Sequence, residues 1–360
     1  DDNLYLENLR VYRKSLTHKN EINKYLATVS RVLSNLKTHI YSKELLEFDS
    51  KYAQYKAGNL DFKAYVSALL EISKQKGIKV ALYENIEMFE KVIEKERDID
   101  FVKANSERDQ LIETLRKALS YRETTELLQK TVEFSSRKMP QAAYYGYIYL
   151  KCKEIGIYTG AFQNFEKYLV YVERFNKVDN SKVMDEVGRL ERDIKAVLCE
   201  NNTQRELDTL SRNLAIAKNI FNVTLTRDDY RYYRSNESSF KTAAYASFIN
   251  REAPRYKVDA DLGAEAESID RYRDEISEFY ELSMKRDDAF IRNLRFQSPD
   301  NRVAIIVTGG FHGDNLRELF RKNDISYVSI MPNFRIENGY ECPYFKLLAG
   351  NPYAEFIKTV

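Results

Sequence analysis

Three observations predict a mainly α-helical fold of long packed amphipathic helices with a small carboxyl-terminal α/β element. Glycine and proline are scarce, 12 and 6 in 360 residues, and because these residues interrupt helices their scarcity favours long ones. Apolar residues recur at three- and four-residue spacing from the first residues to about residue 296, the period of a helix with one buried face. Near residue 302 that rhythm gives way to a short run of consecutive β-branched residues between Pro299-Asp300 and Gly309-Gly310, which reads as a buried strand.

The elements follow in order. Leu9, Tyr12, Leu16, Ile22, Leu26, Val29, Leu33, Leu36 and Ile40 form one stripe, which predicts a single long helix or two helices broken near Thr17–Asn20. Ser42 and Glu44 open a second helical stretch that ends at Ala57-Gly58-Asn59, and residues 60–76 form a third, stopped by Gly77. The stretch from Ile86 through Leu119 reads as one helical run, with charges three or four residues apart on its solvated face. Residues 200–222 are a further helix, and Thr226 followed by Arg227-Asp228-Asp229 looks like an N-cap with acids in the first turn. Pro254 through Gly263 reads as a connection, and Ala264 to about Phe296 as another helix. In the carboxyl-terminal part, residues 302–308 predict a strand, 314–323 a helix and 325–330 a second strand, together a βαβ unit.

Within the helical region a shift of 79 residues superposes one segment on another without a gap. Tyr65 falls on Tyr144, Gly77 on Gly156, Asn85 on Asn164, Asp100 on Asp179, Glu107 on Glu186 and Leu111 on Leu190. Helical period alone accounts for coincident apolar positions, but not for coincident Gly-Ile breaks and shared polar residues, so the segments read as a duplicated unit. The expected organisation is a long-helix region over 1–222 containing the duplication (about 60–119 and 139–198), further helices over 223–296, and the α/β element over 297–360. Stacked copies bury a continuous seam, and the 27 tyrosines suit its polar edge. Such helices pair within one chain or between chains as coiled coils do, so self-association is an expectation too.

Composition bounds the function. With 43% hydrophobic and 31% charged residues and a net charge of +2, the chain reads as a globular polypeptide rather than a disordered or collagenous one. No stripe of Lys and Arg follows a phosphate backbone, which argues against a nucleic-acid partner. No apolar run approaches the roughly 18 residues of a membrane span and no signal peptide opens the chain, so the default expectation is cytoplasmic. Cys152, Cys199 and Cys342 show no metal-ligand spacing and read as reduced thiols. GxSxG, Cys–His pairing and P-loop patterns are absent from the sequence.

Chemistry has one obvious place. Thr308-Gly309-Gly310-Phe311-His312-Gly313-Asp314 lies where the first strand should end and a helix begin, which is where α/β sheets collect ligands. Gly309 and Gly310 let the backbone approach a ligand, Phe311 lines the turn, and His312 can act as a base or a metal ligand. The plainer reading is a glycine turn with His312 capping the helix. Arg286-Asp287-Asp288 form a second cluster, which either orients the strand ends and binds an anion or is an exposed charge network.

These two clusters together carry a resemblance. The run Arg286-Asp287-Asp288-Ala289-Phe290-Ile291-Arg292-Asn293-Leu294, then an apolar strand, then Gly309-Gly310-Phe311-His312, resembles the carboxyl-terminal signature of the superfamily of TraB/TIKI proteins, ChaN-like haem-binding proteins and erythromycin esterases. The resemblance covers about residues 280–335 and is strongest to bacterial relatives with long helical insertions. It implies a GxxH half-site contributing to a pocket for hydrolysis or for binding a divalent metal or haem. His312, Arg286 and Asp287 are then the catalytic residues, and His312 a metal ligand. It also implies a first half of the site, which neither His18 nor His39 supplies because neither follows an apolar strand. The expected partner is therefore a missing amino-terminal half of the same protein, and the Asp1-Asp2 start is what a fragment cut after that half would show. The competing expectation is a non-catalytic helical interaction scaffold.

Overall fold

The computed structural model describes residues 2–262, 266–295 and 302–330. It is mainly α, with fifteen α-helices among the described residues. The chain divides into two compact units, one of residues 42–200 and one of residues 1–41 with 201 onward.

The first unit holds α1 (Asp2–Leu16), α2 (Lys19–Ile40), α11 (Asn202–Phe221), α12 (Arg227–Ser235), α13 (Thr242–Tyr256), α14 (Ala266–Arg292) and α15 (Gly310–Lys322). The amino-terminal stripe is thus two helices, separated at Thr17-His18. Helix α1 packs along α14, α2 along α11 and α13, and α15 against α14 and α12. Val29, Val32 and Leu36 of α2, Leu207 and Ile220 of α11, Phe248 and Ile249 of α13 and Ile276 of α14 are buried at their common seam. Asn201 caps α11 through the Gln204 N–H, and Thr226 caps α12 through the Asp229 N–H. The expected connection from Pro254 is instead the end of α13. Proline there removes only one hydrogen bond in a last turn, and Lys257 closes the helix in the left-handed conformation.

The second unit holds α3 (Lys43–Lys56), α4 (Phe62–Lys76), α5 (Glu84–Arg97), α6 (Phe101–Ala118), α7 (Tyr121–Ser135), α8 (Gln141–Glu154), α9 (Gln163–Phe175) and α10 (Asn180–Leu198). The expected single run over 86–119 is two helices, because the Asp100 carboxylate accepts the Lys103 N–H and begins a new one. At the 79-residue shift α4, α5 and α6 fall on α8, α9 and α10, and Gly77 and Gly156 both sit at positive φ, 70° and 76°. The correspondence reaches further back, since α3 falls on α7. The Tyr55–Tyr65 stack at 4.2 Å has its equivalent in Phe134–Tyr144 at 4.5 Å.

The two sets of helices are interlocked rather than stacked. Helix α6 of the first set packs on α8 and α9 of the second, α10 of the second packs on α4 and α5 of the first, and α5 meets α9 between them. Each exchanged helix carries one buried carboxylate that caps a helix of the other set. Glu186 accepts the N–H groups of Asn85 and Ile86 at 2.8 and 2.9 Å and the Asn85 amide at 2.7 Å. Glu107 accepts the Phe165 N–H at 2.8 Å and the Asn164 amide at 3.3 Å. The shared polar residues of the duplication are therefore the partners of two reciprocal caps, filling the first-turn donors that a helix cannot satisfy itself.

The expected α/β element is not seen among the described residues. Residues 302–309 and 325–330 carry no strand and flank α15. A β-branched run becomes a strand only when a neighbouring strand takes its N–H and C=O groups, and no such pairing occurs among the described residues. Val303, Ile305, Val307, Val328 and Ile330 are instead 76–90% exposed. The helix between them also begins four residues earlier than expected. Gly309 adopts an extended conformation as N-cap, which places Gly310, Phe311 and His312 in the first turn of α15 rather than in a loop. Residues 331–360, the end of the expected third region, and Cys342 lie outside the described residues. Cys152 and Cys199 are buried.

Candidate functional site

Helix α14 carries Asp287 on the face that α15 and α12 cover. Its carboxylate is completely buried and has three partners. Oδ1 lies 2.5 Å from His312 Nδ1, and Oδ2 accepts from Arg227 Nη1 and from Asn315 Nδ2, both at 2.7 Å. His312 and Asn315 are three apart on α15 and so project from one side of it, while Arg227 comes from the first turn of α12. Burial by itself pushes the Asp287 carboxyl up. The hydrogen bonds from His312, Arg227 and Asn315, with the positive charge beside it, outweigh burial and hold it below the usual carboxylate value.

The contact at Nδ1 decides the chemistry of the imidazole. With an ionised carboxylate at 2.5 Å, Nδ1 carries the proton, so in the neutral ring Nε2 holds the lone pair that a base or a ligand needs. Phe290 and Phe311 present themselves to the ring at 5.4 and 5.9 Å, nearly perpendicular. The side chain keeps 11% exposure, so the ring is fixed in orientation without being sealed off.

The remaining residues singled out in the sequence separate. Arg286 does not join His312; its guanidinium lies 5.2 Å over the ring of Tyr5. Neighbouring residues on a helix point about 100° apart, so one helix face cannot present both Arg286 and Asp287 to α15. Phe311 packs its ring against Tyr280 at 5.3 Å and Tyr230 at 6.4 Å and anchors α15 to α14 and α12. Gly309 and Gly310 have open space where a side chain would stand. The arginine that completes the cluster, Arg227, is 60 residues from Asp287 in sequence, and nothing local marks it. Asn315 carries a faint signal, its three-residue spacing from His312.

As a metal centre the cluster lacks donors. Both Asp287 oxygens are engaged, His312 offers one nitrogen, and no group of three metal-ligating side chains occurs among the described residues. A groove of about 770 Å³ lies between α8 and α9 in the other unit, with Tyr149, Leu169 and Val170 in its lining. Its two carboxylates are held by Thr159 and Lys177, which leaves it without a catalytic constellation. No helix among the described residues is long and apolar enough to cross a membrane. No family model, curated protein or solved structure matches the chain.

Proposed function

We propose that His312 and Asp287 form the base half of a hydrolytic site in a TraB/ChaN/esterase-like protein. One observation carries this reading: a partly accessible imidazole whose Nδ1 is held at 2.5 Å by a fully buried carboxylate. Asp287 fixes the tautomer and stabilises the imidazolium that forms when Nε2 takes a proton from a nucleophile. Arg227 and Asn315 hold Asp287 in place from its other oxygen. The donor set does not fit a metal or haem centre built from these residues alone, so no step runs through one. On this reading the remaining groups of the pocket come from further sequence of the same protein. The exposed β-branched residues at 303–307 and 328–330 offer that sequence a surface on which to build a sheet.

The test uses the small number of histidines, three in the chain. Hydrolysis of p-nitrophenyl acetate should fall on the order of a hundredfold in His312→Ala. It should be unchanged in His18→Ala and His39→Ala, whose rings stack on Tyr272 and Tyr256. Equal rates in all three variants would remove His312 from the mechanism. The second reading, a helical interaction scaffold, draws its support from the interlocked eight-helix unit, and that outcome would favour it.

A further inference from the structure

We propose that Lys218 is a modification site, an amine that accepts an acyl group from an activated donor such as an acyl phosphate or a thioester. Lys218 lies on α11 at its seam with α2, and its ammonium nitrogen reaches Ser30 Oγ at 3.1 Å. Among the described residues that hydroxyl is the ammonium's single polar partner. Other lysines end on carboxylates: Lys63 on Glu96, Lys74 on Glu90, Lys76 on Glu44 and Lys91 on Glu87. A carboxylate stabilises the ammonium form and removes the lone pair, whereas a half-buried seam with only a hydroxyl favours the neutral amine.

The direction of titration agrees with the geometry. Burial pushes the Lys218 amine down, and it is the sole cause. No ionised group of α2, α12, α14 or the 3-10 turn at residues 237–240, the elements packed on α11, contributes. Lys74 and Lys151, beside Glu90 and Glu154, move the opposite way. In the acylation the Nζ lone pair attacks the carbonyl carbon. The new C–N bond forms as the bond to phosphate or thiolate breaks, and the proton leaves the nitrogen for a solvent base.

The experiment labels the full chain briefly with sulfo-N-hydroxysuccinimidyl acetate at pH 7 and at pH 11 and measures every lysine by peptide mapping. The ratio of the two rates at one residue cancels its accessibility. Lys218 should show a ratio at least tenfold above the median of the carboxylate-paired lysines, and Ser30→Asp, which supplies the missing anion, should bring it down to theirs. A ratio at or below the median in the wild-type chain overturns the proposal, as does a ratio that Ser30→Asp leaves unchanged. Acetyl phosphate and acetyl coenzyme A at pH 7, in separate arms, distinguish the two donor classes.

Discussion

Asp287 concentrates the consequences of single substitutions. It is buried with a guanidinium and an imidazole on it, so removing the carboxylate strands the charge of Arg227 in the protein. Breaking a buried pair in that way costs ~3–5 kcal/mol; Asp287→Ala should lower the unfolding free energy, read from denaturant titration, of the unit formed by residues 1–41 and 201 onward by an amount of that order, whereas Arg286→Ala, which gives up a ring contact with Tyr5, should cost under about 1 kcal/mol. The pH dependence has a definite sign. Because the folded Asp287 carboxyl is held below its ordinary value, its contribution is complete above the unfolded value of about 3.9 and is lost as the pH falls through the lower folded one. Thermal melts between pH 2 and 6 should show wild type losing this increment in acid and Asp287→Asn lacking it. A parallel pH slope in the two proteins would contradict the assignment.

At the scale of the helix, the reciprocal caps make a paired prediction. Glu186 serves two backbone N–H groups and Glu107 one. Replacing either by alanine leaves buried first-turn donors without an acceptor, at about 1–3 kcal/mol each. Both should destabilise the unit of residues 42–200, Glu186→Ala more than Glu107→Ala. Glu→Gln should recover part of the loss, since an amide oxygen still accepts. The correspondence of α4, α5 and α6 with α8, α9 and α10 was legible in the sequence through Gly77 with Gly156 and Asn85 with Asn164. The inclusion of α3 and α7 was not, because Leu45 falls on Thr124 and Asp49 on Leu128, and those helices are related by their bounds, by the buried Phe48 and Leu127 and by the equivalent ring stacks. Nor did the matches say which copy each carboxylate caps. A cap within one copy and a cap across copies leave the same coincidences in the chain.

For the whole molecule, the unit of residues 42–200 is continuous in sequence and enters between two helices that pack on each other. The Ile40 carbonyl accepts the Gln204 side-chain amide at 2.9 Å, so the points where the chain leaves and returns are adjacent. Residues 42–200 expressed alone should therefore fold and unfold cooperatively. Joining Tyr41 to Asn201 by a short Gly-Ser linker should leave the remaining unit helical, because closing a short loop between neighbouring ends costs little. Loss of cooperative melting in the excised segment would show that the insertion is not autonomous. The expected grouping of residues 1–222 drew no boundary at residue 42 or 200, since the helix breaks there look like every other break along the chain and say nothing about which helices pack together.

Local chemistry was written in the chain: helix period, the caps at Ser42 and Thr226, and the glycine stops at Gly58, Gly77 and Gly156. Each depends on residues within one or two turns of one another, so each can be read along the chain. Tertiary structure alone decided that Asp287 rather than Arg286 faces His312, that Arg227 completes the cluster from 60 residues away, that exchanged helices cap one another, and that residues 302–308 form no strand among the described residues. Those outcomes depend on which faces meet and on whether a neighbour is present to take a hydrogen bond, and a one-dimensional pattern carries neither.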